Sequence, residues 1–316
     1  MFHRVRKPLV YLMSAVLASS LWFGTGAPEA SAEEAKIPFT DVVENHWAKI
    51  PILKLYSAGV IGGYSDGTFR PNNMVSQQEA IVMVLRRMGH YDNTIPEKDN
   101  AVIQLEVDSF FKKFVIKAIE EEVINLGEEI EAAATGETPW GKRPATREWI
   151  AKLIVRSIGA SEAAGTLPFT DAADISLSAR GYVLQASQLG LVRGYTDNTF
   201  QPSRSVSRAE LVTMLSRADD FYTENVERFA AGYITSKTAS SIALQTDQGS
   251  QLSLALTGST YIYDTNNDPV SLDELTVGMR ARVVFNGGTA YFIETLGESA
   301  GYETFEGELK AVDVGL

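Results

Sequence analysis

Apolar positions in the first two thirds of the chain recur at helical spacing. Ala48, Ile52 and Leu55 fall at i, i+4 and i+7, so they share one face of a predicted helix. Gly59 follows this stripe and is expected to end the helix. An apolar stripe followed by glycine returns at residues 179–190, which predicts a second helix of the same kind.

Another helix is predicted downstream of each of these. Ser76-x-x-Glu79 and Ser207-x-x-Glu210 both precede apolar stripes. This pattern is typical of a capping box, in which the serine and glutamate side chains satisfy two backbone N–H groups at the helix start. The chain therefore contains a repeated pair of helices.

The two helices of each pair are joined by a loop that occurs twice. GGYSDGTFRP occupies residues 62–71, and RGYTDNTFQP occupies residues 193–202. Asp66-Gly67 predicts a turn with glycine in a left-handed conformation, which asparagine tolerates at Asn198. FTDV at residues 39–42 and FTDA at residues 169–172 also precede the first helices, so the repeat is longer than the loop.

A third, degenerate copy of the repeat lies between these two. FFKKFVIKAIEEEVI aligns with WAKIPILKLYSAGVI, and ATREWIAKLIVRSIG aligns with VSQQEAIVMVLRRMG. The middle loop is 7 residues longer and lacks the Gly-Tyr-x-Asp pattern. Three helix–loop–helix repeats are thus predicted, at about residues 37–90, 103–160 and 167–220, within a helical domain over residues 33–221.

The pattern changes to short β-rich runs after Asp220. Six strands, separated by turn signals, are predicted over residues 232–303, which indicates a small barrel or sandwich. Residues 222–231 are interpreted as a linker. Residues 304–316 are interpreted as the start of a second β module or as a strand that closes the first.

The first 32 residues resemble a secretory signal peptide. Arg4, Arg6 and Lys7 precede an apolar run that is short for a membrane span, and Ala30-Ser31-Ala32 offers a cleavage site. We therefore expect a secreted protein that makes no membrane contact after cleavage, since no later apolar run approaches 18 residues. An uncleaved membrane anchor is the alternative.

Charge and residue usage exclude several classes of function. The net charge of −12 becomes −14 without residues 1–32, which argues against nucleic acid and anionic membranes as partners. The chain has no cysteine, and only His46 and His90 remain after cleavage, so we expect no metal site. Because no catalytic constellation is recognisable, we expect no catalytic residues, no cofactor and no enzyme activity.

Together the repeated motifs resemble the S-layer homology domain over about residues 37–220. That family begins with F-x-D-V, starts its helices with Trp-Ala and T-R-A-E, and carries a G-Y-x-D-G-T-F-x-P loop. The resemblance implies a pseudo-threefold, all-α assembly of three helical prongs, here followed by the all-β module, so the fold class is α+β. It also implies non-catalytic binding of pyruvylated polysaccharide of Gram-positive cell walls, and a location in the cell wall or surface layer.

The residue after the helix N-cap carries a separate physical argument for an anion site. Arg147 and Arg208 stand there in the second and third copies, where a cation opposes the positive end of the helix dipole. This placement is favourable if free helix N–H groups and the guanidinium converge on a bound carboxylate, such as a pyruvate ketal. The alternative is an exposed arginine paired with a nearby glutamate.

In the family, grooves lie between prongs, so the loop of one copy can complement the arginine of another. Arg147 and Arg208 are thus expected to work with the loops of Asp66 and Asp197. The groove of Gln77 is in doubt, because Gln77 brings no charge. The predicted polysaccharide-binding residues are Arg147, Arg208, Trp47, Tyr64, Asp66, Gly67, Tyr195, Asp197, Ser207 and Gln77. For the three aromatic residues, packing is the alternative to contact with a sugar.

Two other functions remain open at this point. The chain can be a structural subunit of a surface lattice that acts mainly by binding copies of itself. It can also be the anchor of a larger surface hydrolase whose catalytic domain lies beyond Leu316. The leading prediction is a wall anchor that displays a β-rich module, and Arg208→Ala is expected to weaken polymer binding without unfolding the domain.

Overall fold

A computed structural model describes residues 37–97, 104–222 and 228–298 of the 316-residue chain. The predicted signal peptide, residues 223–227 of the predicted linker and the predicted segment 304–316 lie outside the described residues. The described residues all lie within one compact unit, so the helical and β-rich parts belong to the same body.

The described residues form seven α-helices. They are α1 (Lys49–Ser57), α2 (Gln77–Arg87), α3 (Ser109–Glu120), α4 (Leu126–Ala133), α5 (Arg147–Ser157), α6 (Leu177–Gln188) and α7 (Arg208–Arg217). The capping boxes predicted at Ser76 and Ser207 are both present at the starts of α2 and α7. Helix α4 was not predicted, and it occupies the longer loop of the middle copy.

Each helix pair that packs together joins two different copies of the repeat. Helix α1 packs on α7, α2 on α3, and α5 on α6. The second helix of one copy therefore packs on the first helix of the next, and the third copy closes back on the first. The apolar stripes of these helices are buried, because they all face one shared core.

A closed ring of backbone hydrogen bonds joins the three copies just before their second helices. Val75 N–H donates to Val206 O at 3.0 Å, Val206 N–H donates to Ala145 O at 2.9 Å, and Ala145 N–H donates to Val75 O at 2.9 Å. All three residues are fully buried. The ring satisfies these backbone groups away from water, and it fixes the cyclic arrangement of the copies.

The C-terminal part is a six-stranded sheet, so the chain has the α+β class that we predicted. Its strands are β1 (Phe229–Lys237), β2 (Ser241–Thr246), β3 (Gln251–Ala255), β4 (Tyr261–Asp264), β5 (Met279–Asn286) and β6 (Thr289–Glu298). The order is β3-β2-β1-β5-β6-β4, antiparallel except for β4 with β6. One further pair, Ala255 with Thr289, joins β3 to β6.

Strand β1 begins at Phe229, inside the segment that the sequence indicated as a linker. The linker interpretation was wrong there, because Phe229 and Ala230 are buried and pair with β5. The sequence indicated a strand only weakly here, since Phe-Ala-Ala-Gly contains no β-branched residue.

The two faces of the sheet bury different surfaces. Val283 and Ile293 face the sheet's own apolar cluster. Phe229, Val284 and Phe292 instead belong to the same apolar cluster as the helices. Because successive strand residues point to opposite faces, β5 can serve both cores at once. The sheet is therefore docked on the helical part through a shared apolar core.

Candidate functional site

Each of the two GYxD loops is built as a tight turn. Asp66 Oδ1 accepts from the Thr68 backbone N–H at 3.0 Å and from the Thr68 hydroxyl at 2.6 Å. Asp197 and Thr199 repeat these bonds. Hydrogen bonds from Thr68 and from Arg70 hold the pKa of Asp66 at about 2, so this carboxylate is ionised. Both aspartates thus shape their own loops.

A second aspartate, from the FTD segment, anchors each loop from outside. Asp41 accepts from the backbone N–H groups of Phe69 and Arg70, both at 2.7 Å. Arg70 has a φ of 57°, a left-handed conformation that costs a non-glycine residue about 1 kcal/mol. The two charge-assisted bonds from Asp41 offset that cost.

Asp171 does the same for the loop of the third copy, where it accepts from Phe200 and Gln201 at 2.7 Å each. Sequence reasoning missed the role of both aspartates, although the recurrence of FTD was visible. Their function depends on a contact 28 to 30 positions away, which local spacing does not reveal.

The arginine after the N-cap clamps the loop of a different copy. Arg208, at the start of α7, donates from Nε to Phe69 O at 3.0 Å and from Nη2 to Gly62 O at 2.9 Å. Its guanidinium carbon lies 5.2 Å from the centre of the Tyr64 ring. We call Gly62, Tyr64, Phe69, Arg70 and Arg208 site A.

The same clamp joins the second copy to the third. Arg147 donates from Nε to Phe200 O at 2.8 Å and from Nη2 to Arg193 O at 3.1 Å. Its guanidinium carbon lies 4.7 Å from the centre of the Tyr195 ring. We call Arg147, Arg193, Tyr195, Phe200 and Arg204 site B. The predicted complementation of one copy's loop by another copy's arginine is thus present at both sites.

The predicted convergence of free helix N–H groups on an anion was wrong. At α7, Arg208 N–H donates to Asn73 O at 2.9 Å, Ala209 N–H to Pro71 O at 3.0 Å, and Glu210 N–H to Ser207 Oγ at 3.3 Å. The neighbouring copy and the capping serine therefore satisfy the helix end, and the dipole argument for an anion loses its basis.

The alternative of an exposed arginine paired with a glutamate was also wrong. Arg147 is 4% exposed and Arg208 is 9% exposed, and both bind backbone carbonyls. Burial lowers the pKa of each arginine, although both remain cations because an arginine pKa starts near 12.5. The structure therefore gives each arginine a structural role within its site.

One guanidinium nitrogen of each clamp remains available to a ligand. Nη1 of Arg147 and Nη1 of Arg208 have no hydrogen-bond acceptor among the described residues. Neither atom is among the buried side-chain atoms without a partner, so solvent reaches both. Each site can thus donate a hydrogen bond from a positively charged group next to a tyrosine ring.

The position of Gln77 has no equivalent site. Its N–H donates to Arg143 O at 2.9 Å, and its Oε1 is buried without a partner. Helix α4 stands where a GYxD loop would be, and Arg143 donates to Ala132 O at 2.7 Å at the end of this helix. The absence of the loop, more than the missing charge, separates this position from sites A and B.

A buried carboxylate on α4 binds two tryptophan side chains and so holds this helix in place. Glu129 accepts from Trp140 Nε1 at 2.9 Å and from Trp149 Nε1 at 3.0 Å. Burial raises the pKa of Glu129, and the two indole donors oppose that rise. Sequence reasoning did not find this group, because its members are spread over 20 positions with no repeat to compare.

The remaining predicted residues have different surroundings. Trp47 is 60% exposed just before α1, and its ring is stacked on His46 with centroids 5.7 Å apart. Phe110, its counterpart in the middle copy, is 51% exposed. Gly67 has a φ of 78° and Asn198 a φ of 62°, as the turn prediction requires. Ser207 is buried and caps α7.

Comparison with known families agrees with this geometry. A family model described as S-layer homology domain matches residues 38–81 and 168–212. Each match includes an FTD segment, a clamped loop and the start of a second helix. These two segments are S-layer homology domains. A chain that carries them is a cell-surface protein, as we predicted.

Several curated proteins resemble parts of the chain. An endoglucanase from Bacillus sp. (strain KSM-635) is 28% identical over 224 residues, 67% of this chain and 22% of the relative. A cellulosome-anchoring protein from Acetivibrio thermocellus is 27% identical over 165 residues, 51% of this chain and 35% of the relative. The outer membrane protein SlpA from Deinococcus radiodurans is 41% identical over 73 residues, 22% of this chain and 6% of the relative.

The chain spans at most about a third of the length of these three relatives. Over the described residues, no helix combines the length and the apolar character that crossing a bilayer requires. In the same part of the chain, no three His, Cys, Asp or Glu side chains are grouped as metal ligands would be.

Proposed function

We propose that the chain anchors itself to the cell wall by binding pyruvylated wall polysaccharide at sites A and B, without catalysis. The observation that carries this proposal is the duplicated clamp, in which a buried arginine presents a free Nη1 beside a tyrosine ring. Only the two S-layer homology domains that the family model matches carry the loops. The cellulosome-anchoring relative supports an anchoring role by its name.

The chemistry of each site suits a saccharide. A sugar offers apolar C–H faces for stacking and oxygen acceptors for a guanidinium donor. Tyr64 and Tyr195 supply ring faces, and Nη1 of Arg208 or Arg147 supplies the donor. A pyruvate ketal adds a carboxylate, which a guanidinium binds more strongly than it binds a neutral oxygen. Trp47, exposed near the start of α1, is proposed as a further stacking residue.

The β-rich part is proposed to be a small closed barrel that the anchor displays. The pair Ala255–Thr289 brings β3, at one end of the sheet order, onto β6 near the other end. Such a contact is what closes a sheet on itself and removes its free edges. We further propose that the chain can bind copies of itself in a surface layer.

The test is binding of residues 33–316 to purified pyruvylated wall polysaccharide and to the same polymer after its pyruvate has been removed. The sheet is kept because it shares a core with the helices. We expect binding to the first polymer and at least about tenfold weaker binding to the second, from the loss of one charge-assisted bond. Arg280→Gln, which removes one positive charge from the sheet at a residue outside sites A and B, is a control variant and should bind both polymers like the wild type.

No binding to either polymer would refute wall-polymer anchoring. Equal binding to both would leave anchoring in place and remove the pyruvate from it. Ordered two-dimensional arrays of the purified protein, seen by electron microscopy in the absence of polymer, would favour a lattice subunit instead.

A second candidate is the anchoring part of a larger hydrolase. It is favoured by the endoglucanase relative, of which this chain matches only 22%. Sequencing the gene beyond codon 316 tests it, because a catalytic domain in the same reading frame is the expected result for that candidate alone.

A further inference from the structure

Sites A and B have different charges. We propose that site B alone receives the carboxylate of the wall polymer, that Arg193 and Arg217 complete its anion-binding surface, and that site A takes uncharged sugar. This inference rests on the proposed function, and it gives a binding role to the side chain of Arg193, whose backbone carbonyl alone takes part in the clamp, and to Arg217, which takes no part in it.

Three acidic side chains of the two sites correspond in pairs. Asp41, Asp66 and Glu79 lie at or next to site A, and the equivalent residues of the third copy, Asp171, Asp197 and Glu210, lie at or next to site B. Glu148 follows Arg147 and has no acidic counterpart after Arg208, and its carboxylate accepts from the backbone N–H and the hydroxyl of Ser176. Apart from Glu148, the difference in local charge comes from the arginines.

The arginines do not correspond. Site A has Arg208 and Arg70, and Arg70 forms an ion pair with Asp66 at 2.9 Å. Three carboxylates thus stand against two guanidiniums. At site B the three carboxylates stand against four guanidiniums, those of Arg147, Arg193, Arg204 and Arg217. Over these paired carboxylates and the arginines, site A has a net negative charge and site B a net positive one, in a chain whose overall charge is −12.

Arg193 and Arg217 stand at positions where the first copy has either no cation or a cation that is paired with a carboxylate. Arg193 stands where the first copy has Gly62. Arg217 stands where it has Arg86, and Arg86 is held by Asp92 through two bonds of 2.8 Å. Arg193 and Arg217 have no ion-pair partner among the described residues.

Arg217 lies close enough to Arg193 and Arg147 to be repelled by both. The backbone carbonyl of Arg193 accepts from Arg147 Nη2 at 3.1 Å, which places Arg193 at the clamp itself. Burial, followed by the charges of Arg193 and Arg147, lowers the pKa of Arg217. Like charges held together without a counter-charge favour a bound anion, which would relieve the repulsion.

Site B also contains polar atoms that the protein leaves unsatisfied. Four buried side-chain atoms lack a hydrogen bond of good geometry over the described residues, and two of them, Tyr195 Oη and Arg204 Nε, belong to site B. Against burial, interactions of Arg204 with Glu210 and with the Tyr195 hydroxyl raise the pKa of Arg204, so Tyr195 and Arg204 satisfy each other only in part. The corresponding tyrosine of site A, Tyr64, has no such atom. A buried polar atom without a hydrogen bond costs free energy. A ligand whose oxygen atoms accept hydrogen bonds from these groups at site B would remove that cost on binding.

The test compares two substitutions at site B with matched changes elsewhere. Residues 33–316 carrying Arg193→Gln and Arg217→Gln are titrated calorimetrically with pyruvylated polymer and with the polymer after pyruvate removal. We expect affinity for the pyruvylated polymer to fall about tenfold or more, and the preference for it to disappear. Arg193 is exposed and Arg217 is partly exposed, and neither pairs with a carboxylate among the described residues, so the thermal midpoint should move little.

Two variants outside both sites serve as controls. Arg86→Gln removes the equivalent of Arg217 in the first copy, and Arg280→Gln removes an arginine of the sheet that pairs with Asp247. Both should keep the wild-type preference for pyruvylated polymer. If the site B double variant keeps the preference, or if Arg86→Gln loses it to the same degree, the assignment of the carboxylate to site B is overturned.

The wild type separates this inference from the function on which it rests. Equal wild-type binding of the two polymers overturns the carboxylate site while wall anchoring stands. Wild-type binding to neither polymer overturns wall anchoring, and the carboxylate site with it.

Discussion

Lys54 and Asp219 are 165 positions apart and form a buried salt bridge, with Lys54 Nζ 2.8 Å from Asp219 Oδ2. Their side chains are 4% and 2% exposed. Arg87 binds the other oxygen of Asp219 at 2.7 Å, and Lys54 also reaches Glu294 of β6 at 3.0 Å. One carboxylate after α7 thus holds cations from α1 and α2, and the same lysine connects them to the sheet.

Asp219→Asn is expected to lower the free energy of unfolding by about 3–5 kcal/mol, because it leaves two buried cations without their shared counter-charge. Urea or guanidinium unfolding of residues 33–316 measures the loss. The matched control is the neighbouring Asp220→Asn, since the Asp220 side chain is 74% exposed and pairs with Arg282 at the surface. Its effect should stay below about 1 kcal/mol. Similar small effects from both variants would show that the buried network contributes little.

The same carboxylate predicts a pH dependence of stability. Burial raises the pKa of Asp219, but the charges of Lys54 and Arg87 outweigh burial and bring it to about 2, below the ordinary 3.8. A carboxyl group whose pKa is lower in the folded than in the unfolded state stabilises the fold fully at pH values above its unfolded-state pKa. This stabilisation is lost as the pH falls through its folded-state pKa. We therefore expect Asp219 to contribute about 2 kcal/mol above pH 4, lost progressively between about pH 4 and pH 2.

Chemical unfolding of wild type and Asp219→Asn at a series of pH values checks this. The gap between the two proteins should be constant from neutral pH down to about pH 4.5 and should narrow below it. A gap that is the same at pH 2.5 and pH 6 would contradict a depressed pKa for Asp219.

The sequence predicted the elements of this fold better than their contacts. Capping boxes and glycine stops are local, so Ser76, Ser207 and Gly59 were sufficient to locate helix ends. The third repeat was visible only by alignment with the other two. Helix α4 was missed, because its eight residues follow no repeat and lie in a loop that the other copies lack.

The candidate sites show where sequence reasoning reaches its limit. The motif singled out Arg208 and the loop of Tyr64, and the structure brings these two together. The reason given for Arg208 was wrong, since the acceptors for the helix N–H groups come from another copy's backbone. Arg193 and Arg217 were not singled out, because their importance lies in a charge balance that only three-dimensional proximity defines.

The shared core predicts that the helices and the sheet unfold together. Once residues 1–32 are removed, the remaining tryptophans, Trp47, Trp140 and Trp149, all lie in the helical part. Phe292→Ala on β6 removes a side chain that is 1% exposed and packs in the helical core, at a cost of about 3–5 kcal/mol. The tryptophan fluorescence transition should therefore shift to lower denaturant, although the substitution lies in the sheet.

Leu254→Ala is the control for this cooperativity. Leu254 is equally buried but packs only in the sheet's own cluster. If the chain unfolds as one unit, this variant also moves the tryptophan transition, by about 2–5 kcal/mol. If the two variants leave the fluorescence transition in place and shift only a far-ultraviolet circular dichroism signal, the helices and the sheet unfold separately.

Arg208→Ala is expected to destabilise the protein as well as to weaken its binding, contrary to the expectation from sequence. The substitution removes the donors to Phe69 O and Gly62 O, and Phe69 is fully buried. A buried acceptor left unpaired costs about 1–3 kcal/mol, and thermal or urea unfolding should show a loss of that size. Arg147→Ala should give a similar loss at the second clamp.

Arg70→Ala is the control for this last prediction, because Arg70 contacts the same tyrosine ring as Arg208 from the exposed side. Its guanidinium carbon lies 3.8 Å from the centre of the Tyr64 ring, and its ion pair with Asp66 is exposed to solvent. Loss of an exposed pair costs less than about 1 kcal/mol. A stability loss confined to Arg208→Ala would identify the clamp as structural, so that binding defects of this variant require correction for the fraction unfolded. Unchanged stability would instead mean that solvent replaces the lost donors, and Arg208 could then be assigned to binding alone.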